Sequence, residues 1–219
     1  MKAKILILGG LFLCSTAYAQ WIPLNSGTTK TLWSVDFIDV NTGYAVGDSG
    51  TIIKTSDGGE NWCLQNSGTS VILRSVFFVN SEVGYAVGND GVILSTTDGG
   101  TTWIAQESWI TDHLNSVWFV DNQTGYAVSE AKPGNTWVHI LKTTDGGSFW
   151  MNSFIYYDTW SIQTFLNSIF FLNSDIGYAL GCTKREQNFY VSFLLKTENG
   201  GLNWEYKYAG SFAAKEFGF

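Results

Sequence analysis

The sequence predicts an all-β fold, a β-propeller of four-stranded blades with about four blades. Three observations support this prediction: the composition, a fourfold internal repeat, and the order of strand and turn signals within each repeat. The 219 residues include 24 Gly, 10 Trp, 10 Tyr and 15 Phe beside only 2 Pro. Abundant glycine and aromatic residues are typical of short strands joined by tight turns. The formal net charge of -7 has the wrong sign for binding phosphates, so no nucleic-acid partner is expected.

The first 19 residues have the pattern of a secretory signal peptide. Lys2 and Lys4 precede an apolar run over 5–13, and the segment ends in Ala17-Tyr18-Ala19, with small residues spaced as in a cleavage site. The apolar run is too short to be a stable membrane anchor, so no transmembrane segment is expected. The protein is therefore predicted to be exported to the periplasm, the cell surface or the medium, and residues 20–219 to form a single propeller domain.

The exported part consists of four repeats. The tripeptide Gly-Tyr-Ala begins at residues 43, 84, 125 and 177, at spacings of 41, 41 and 52 residues. An apolar run precedes each copy, and a second apolar run and a Gly-Gly turn follow it. The predicted repeats span 32–72, 73–113, 114–165 and 166–210. A four-stranded unit that recurs every forty-odd residues is typical of a propeller blade, whereas solenoid repeats are usually shorter.

The Gly-Gly turn carries a recognisable motif. It runs from Thr55 to Trp62 in the first repeat, as Thr-x-Asp-x-Gly-x-x-Trp, and recurs over 96–103, 143–150 and 197–204. This motif resembles the Asp-box of bacterial neuraminidase-type (BNR) repeats. The whole unit, over residues 21–204, is most similar to the photosystem II stability/assembly-factor-like repeat. The resemblance implies that the Asp side chains bind turn amides and that the Trp rings pack between strands, with Asn199 in place of the fourth Asp. The residues given this structural role are Asp57, Trp62, Asp98, Trp103, Asp145, Trp150, Asn199 and Trp204.

The residues do not form a recognisable catalytic site. A sialidase requires three arginines around the substrate carboxylate, and this chain has only Arg74 and Arg185. Other glycosidases use two facing carboxylates, but the spacing of the candidates does not pair them. These candidates are Glu107, Asp112, Glu130 and Asp158.

No cofactor or metal site is expected either. Cys63 and Cys182 have no metal-ligand spacing with His113 or His139. An oxidising compartment permits a disulfide between the two cysteines, but their geometry decides whether it forms.

Departures from the repeat indicate where a ligand could bind. The turns at 129–136 and 181–190 and the linker 151–165 are longer than their counterparts in the other repeats. They carry aromatic and charged residues of the kind that contact glycans or peptides. The alternative is that these rings cover the edge of a blade. The candidate binding face consists of Trp109, Tyr156, Tyr157, Asp158, Trp160, Lys184 and Arg185.

The predicted function is a secreted, non-catalytic propeller that acts as a binding or assembly scaffold for a protein, peptide or glycan at the cell surface or outside. One alternative is a fragment or small form of an Asp-box glycoside hydrolase. Another is an assembly part that associates through an exposed blade edge. Because 21–27 matches 62–68 in sequence, we also predict that it is a fourth strand of a neighbouring or closing blade. About four blades would then be an unusually small ring or an incomplete one.

Overall fold

The computed structural model describes residues 23–132, 137–157, 161–185 and 189–213. In these residues the chain forms four consecutive antiparallel meanders of four strands each, which we call blades one to four. Blade one contains β1 (Leu32–Phe37), β2 (Gly43–Gly47), β3 (Ile52–Thr55) and β4 (Cys63–Gln65). Blade two contains β5 (Leu73–Phe78), β6 (Gly84–Gly88), β7 (Ile93–Thr96) and β8 (Ile104–Gln106). Blade three contains β9 (His113–Phe119), β10 (Gly125–Glu130), β11 (Trp137–Thr143) and β12 (Met151–Tyr157). Blade four contains β13 (Gln163–Phe171), β14 (Gly177–Arg185), β15 (Phe189–Thr197) and β16 (Glu205–Ala213).

The predicted all-β propeller fold is confirmed. The helical content of the described residues is limited to two 3₁₀ turns, Asp48–Gly50 and Asn89–Gly91, and none of their helices could cross a membrane. Blades three and four are joined into one sheet, because Glu130 at the end of β10 pairs with Phe165 in β13.

The core lies between blades. Each blade has a leading face, which packs on the next blade, and a trailing face, which packs on the preceding one. Tyr44, Val46 and Ile52 of blade one form a single buried cluster with Leu73, Val76 and Phe78 of blade two. Equivalent clusters join blade two to blade three and blade three to blade four. One blade cannot bury its own faces, so the stability of each depends on its neighbour.

An aromatic unit recurs at each of these three junctions. The ring of Tyr44 stacks on that of Phe78 with centroids 3.7 Å apart, and Trp103 meets the same Phe78 edge-on at 5.9 Å. The Tyr44 hydroxyl donates a hydrogen bond to the carbonyl of Gly99 in the next blade, at 2.8 Å. Tyr85 and Tyr126 make the equivalent bonds to Gly146 and Gly200. Burial raises the pKa of both Tyr85 and Tyr126 to about 12.

Glycine allows this aromatic unit to form. A Cβ placed on Gly84 would lie only 2.5 Å from the Phe78 ring, so that ring covers bare backbone. Gly43, Gly125 and Gly177 have the same relation to the phenylalanine of their own blade. The glycine of Gly-Tyr-Ala therefore makes room for the ring on which the tyrosine of the preceding blade stacks.

The same hydrogen bonds hold each Gly-Gly turn. In blade one, the Thr55 hydroxyl donates to Asp57 Oδ1 at 2.8 Å and accepts from the Gly59 amide at 3.0 Å. Asp57 Oδ1 also accepts from the Asn61 amide at 2.9 Å. Asp98, Asp145 and Asn199 repeat these contacts in the other blades. The two glycines of each turn have positive φ, which glycine adopts without steric cost.

Two of the expected irregular segments are largely strand, and a third begins with strand residues. The expected linker 151–165 contains all of β12, which pairs with β11 from Met151 to Tyr157, and its last residues begin β13. The expected turn 181–190 continues the β14–β15 ladder as far as the pair Arg185–Phe189, and in the expected turn 129–136 strand β10 extends to Glu130. These segments lengthen the blades instead of forming loops, because residues that fit the ladder occupy both strands, for example Thr183 opposite Val191.

The predicted fourth-strand element at 21–27 is not a strand over residues 23–27. The third strand of every blade already has its own fourth strand on its outer edge, as β3 has β4 and β15 has β16. No third-strand edge is therefore open to it within the described chain. Leu24 instead lies close to Gly59 in the first Gly-Gly turn.

We expect Gly84→Ala to lower the free energy of unfolding by about 2 kcal/mol or more, because the new methyl group would overlap the Phe78 ring. Gly68→Ala is the matched control. Gly68 has φ +71° and no atom within 4 Å of a Cβ, so only backbone strain of about 1 kcal/mol applies. Chemical denaturation of both variants measures the difference, and equal losses would contradict the proposed role of Gly84.

The Asp57 carboxylate makes the first turn sensitive to acid. The Asn61 amide and side chain, and then Thr55, hold the pKa of Asp57 at about 2, below its usual 3.8. The ionised Asp57 carboxylate therefore stabilises the folded state above about pH 4, and this stabilisation is lost as the pH falls towards 2. Asp57→Asn retains the amide acceptor that Asn199 uses and does not titrate. We expect the stability difference between wild type and Asp57→Asn to shrink between pH 5 and pH 2 in denaturation experiments. A pH-independent difference would contradict this account.

Candidate functional site

The connections between blades and the turns between second and third strands lie on the same face of the molecule. A Cβ on Gly50 would lie 2.1 Å from the Thr69 carbonyl oxygen, and one on Gly91 would lie 2.1 Å from that of Ile110. The Gly-Gly turns lie on the opposite face, against the turns between first and second strands, as Gly99 lies against Ser81. We call the face that carries the connections between blades the upper face.

A polar cleft opens on the upper face where the first strands of neighbouring blades meet. Each first strand contributes the residue that follows its repeated leucine, and Ile72 completes the lining. These four residues are Trp33, Arg74, Asn115 and Asn167. The cleft has a volume of about 290 Å³. We call it the axial cleft. It combines an exposed aromatic ring, a guanidinium and two carboxamides, which is the mixture of groups that typically lines a ligand site.

An ion-pair network fixes the central residue of this cleft. Arg74 Nη1 lies 2.6 Å from Glu130 Oε2 and donates to Asn115 Oδ1 at 2.6 Å, while Arg74 Nε donates to Asn89 Oδ1 at 2.7 Å. Gln163 donates to the other oxygen of Glu130 at 3.2 Å. These bonds link blades two, three and four and leave the guanidinium neutralised and held in place.

Asn115 is held by the neighbouring blade four, and Asn167 contacts Cys182 of its own blade. Asn115 Nδ2 donates to the Leu166 carbonyl at 2.9 Å. Burial raises the pKa of the Cys182 thiol, and a hydrogen bond with Asn167 opposes that rise. Trp33 at the cleft entrance is 58% exposed, and its indole donates to Asp48 Oδ1 at 2.7 Å. The cleft is therefore built from side chains that are ordered before any ligand arrives, which reduces the entropic cost of binding.

A second polar cluster surrounds the start of β9. Asp112 is buried, lies 3.5 Å from His139 Nε2 and accepts from the Lys132 amide. His113 Nδ1 accepts from the Asp90 amide at 3.2 Å, and burial lowers the pKa of His113. Within the described ranges, no three or more His, Cys, Asp or Glu side chains are grouped so as to bind a metal ion. These contacts connect the upper ends of blades two and three.

The carboxylates singled out by the sequence have different environments. Glu130 is bound by Arg74 and Gln163, and Asp112 lies beside His139. Glu107 is exposed on the connection after β8, and Asp158 lies outside the described residues. Cys63 is exposed and Cys182 half-buried, and both are free thiols.

The predicted binding-face residues belong to three separate parts of the molecule. Tyr156 is half-buried and packs against Phe193 and Tyr206 of blade four, with ring centroids 5.3 and 5.5 Å away. It therefore supports the junction of blades three and four instead of offering an exposed ring. Lys184 and Arg185 end strand β14, where the Ile162 amide donates to the Lys184 carbonyl. The backbone of Tyr157 ends β12, while Asp158 and Trp160 lie outside the described residues.

Trp109 is the exposed aromatic residue of that prediction, at 72% exposure. It lies in the connection between blades two and three, at the place that Gly27 and Gly68 hold in the earlier repeats. Its φ is 61°, close to the 70° and 71° of those two glycines. A bulky residue in this left-handed region is strained, and such strain is often found at functional positions.

Sequence reasoning did not find the axial cleft. The four residues that follow the repeated leucine differ from one another, so the repeat does not identify them as a set. The available signal was a break in the pattern: Arg74, Asn115 and Asn167 are polar in strands that otherwise bury alternate apolar residues.

The four repeated blades with their upper-face cleft define a propeller-type repeat protein. Residues 13–109 match the family model for the photosynthesis system II assembly factor YCF48, which confirms the family resemblance seen in the sequence. A search of curated protein sequences found no significant match.

Solved structures agree on the fold. A structure described as YCF48 bound to a D1 peptide is similar with a TM-score of 0.55 and 18% identity, covering 87% of this chain and 71% of that chain. YCF48 from Cyanidioschyzon merolae is similar with a TM-score of 0.51 and 13% identity, covering 81% and 85%. An ancestral GH74 enzyme is similar with a TM-score of 0.59 and 17% identity, over 80% of this chain but only 25% of that enzyme. At these identities the likeness shows the fold.

We expect Trp109→Gly to raise the free energy of unfolding by about 1 kcal/mol, because it removes the left-handed strain and the ring buries little surface. Trp109→Ala is the control that removes the ring but retains the Cβ, and it should give no such gain. Denaturation midpoints of the two variants make the comparison. If Trp109→Gly is destabilised, the ring contributes packing that outweighs the strain.

Proposed function

We propose that this protein is an exported, non-catalytic propeller that binds an extended peptide segment of another protein in the axial cleft. The observation that carries the proposal is the cleft itself, where the exposed Trp33 ring lies beside the amides of Asn115 and Asn167. Carboxamides supply both donors and acceptors for peptide groups, and an exposed Trp supplies apolar contact area. The similar structure of YCF48 with a D1 peptide supports a peptide over a glycan as the ligand.

The state of the carboxylates supports a non-catalytic role. A retaining or inverting glycosidase needs two carboxyl groups that face each other across the scissile bond. Glu130 is instead committed to Arg74 and Asp112 to His139. The likeness to the GH74 enzyme extends over 25% of that enzyme, so it supports a shared fold for this segment and not a shared reaction.

Export is part of the same proposal and rests on the signal-peptide pattern of residues 1–19. Expression of the full sequence in a bacterial host followed by fractionation tests it. A processed chain that begins at Gln20 outside the cytoplasm is expected, and an unprocessed cytoplasmic chain would contradict it.

Trp33→Ala should weaken peptide binding by at least about tenfold, because exposed Trp residues at interfaces commonly contribute about 2 kcal/mol. The probe is a fluorescein-labelled peptide selected from a random library on the immobilised protein, and fluorescence anisotropy measures its affinity. Trp109→Ala is the matched control, since it also removes an exposed indole from the upper face. Circular dichroism checks that both variants are folded.

The outcomes separate the candidate ligands and sites. If Trp109→Ala abolishes binding and Trp33→Ala does not, the ligand binds at the connection between blades two and three and the axial cleft is not its site. If no peptide is selected and a glycan array gives Trp33-dependent binding, the peptide proposal is wrong and the ligand is a glycan.

A further inference from the structure

Two blade faces are not packed against another blade among the described residues. They are the trailing face of blade one and the leading face of blade four. Val35 on the trailing face of blade one is 60% exposed, whereas its equivalents Val76, Val117 and Ile169 are at most 5% exposed. Leu180 on the leading face of blade four is 49% exposed.

The equivalents of Leu180 in the other blades are Val46, Val87 and Val128, and all three are fully buried. Val35 and Leu180 are thus open to solvent at positions that are core elsewhere, whereas Ala45 and Ile53, deeper on the trailing face of blade one, are buried. On blade one, the exposed part of this surface is a concave apolar cleft of about 360 Å³, lined by Leu32, Val35 and Trp62 of the blade and bordered by Leu24 and Ser26 of the segment before it.

The open leading face retains the polar groups that join the other blades. Tyr178 holds the place of Tyr44, Tyr85 and Tyr126. Lys196 lies over the Tyr178 ring at 6.0 Å, as Lys54 lies over Tyr44 at 5.3 Å and Lys142 over Tyr126 at 5.6 Å.

In the covered blades these lysines donate to the next blade, as Lys54 Nζ donates to Gly99 and Lys142 Nζ to Gly200. On the open face, Lys196 instead forms an ion pair with Glu198 of its own turn.

The open trailing face retains the matching acceptors and donors. In the first Gly-Gly turn, Gly58 occupies the position of Gly99, Gly146 and Gly200. The carbonyls of those three glycines accept hydrogen bonds from the tyrosine hydroxyls of the preceding blades. The first strands are also linked between blades, because the Val76, Val117 and Ile169 amides donate to Ser34, Ser75 and Ser116 of the preceding blade. Ser168 of blade four is exposed and would be the next acceptor in this series, with the Val35 amide as its donor.

We propose that the leading face of blade four binds the trailing face of blade one of a second copy of this chain. Every covered leading face among the described residues is covered by a trailing face of the same repeat, and that part of the chain leaves one of each without a partner blade. The contact would continue an interface that the structure already contains three times. Because the two faces differ, the association is head to tail, and such contacts either close into a ring or extend. Two copies would supply eight blades, within the range of about four to eight found in closed propellers.

The repeat specifies the contacts. Phe37 of the second copy stacks on Tyr178, as Phe78 stacks on Tyr44. The Tyr178 hydroxyl donates to the carbonyl of Gly58 of the second copy. Leu180 packs against Val35 of the second copy, in the way that Val46 shares a cluster with Val76.

Sedimentation equilibrium of the wild-type chain over a range of concentrations tests the proposal. We expect the mass to rise towards twice that of the monomer. Leu180→Glu and Val35→Glu should each weaken association at least about a hundredfold, because each buries an unpaired carboxylate at the contact. Ile104→Glu is the matched control: Ile104 is 63% exposed on the outer strand of blade two, away from both open faces, and its replacement should leave association unchanged.

Mixing the two variants distinguishes head-to-tail from symmetric association. Val35→Glu retains a normal leading face and Leu180→Glu a normal trailing face, so an equimolar mixture should form a one-to-one dimer although each variant alone is monomeric. Tyr178→Phe provides a conservative variant that should weaken association without lowering the melting temperature of the monomer. A wild type that stays monomeric at every concentration would overturn the proposal. So would a Val35→Glu variant that dimerises by itself, since that result indicates contact between two leading faces.

Discussion

The bond between a tyrosine and the backbone of the next blade is the constraint on which the whole architecture depends. In each of the three junctions, the ring stacks on a phenylalanine of the neighbouring blade and the hydroxyl reaches a glycine carbonyl in its Gly-Gly turn. Stacking alone would allow one sheet to slide over another. The directional hydrogen bond to a fixed carbonyl removes that freedom, so the junction sets both the spacing and the register of adjacent blades.

The other repeated residues support this bond. The threonine and the aspartate hold the turn so that its glycine carbonyl faces the incoming tyrosine, and Asn199 does the same in blade four. The tryptophan of the turn braces the phenylalanine edge-on, as Trp150 does for Phe119. The phenylalanine in turn needs a bare glycine beneath it. Glycine, threonine, aspartate, tyrosine, phenylalanine and tryptophan therefore recur together because they build one junction.

The sequence was sufficient to predict this part of the structure, since the repeat aligns equivalent residues without any coordinates. It was less informative where repeats three and four diverge. From the sequence alone, the aromatic residues at 154–157 are interpreted as part of an exposed linker. Tyr156 is in fact covered by Phe193 and Tyr206, which lie many residues later in the chain. The axial cleft was missed for a similar reason. Arg74 and Glu130 are 56 residues apart, and only the close approach of β5 and β10 across a blade junction shows that they form a pair.

The extended β14–β15 hairpin gives the upper face a polarity. Its strands have nine residues each, against five in β2 and β6. At about 3.3 Å per residue, the four additional residues make a twisted ribbon that rises about 13 Å from one blade. Blades one and two are close copies, and a ring of identical blades would present the same surroundings to a bound chain in either direction. The long β14–β15 hairpin removes that equivalence. A peptide bound in the cleft as proposed would therefore have a different energy in each direction, which would distinguish its amino end from its carboxyl end.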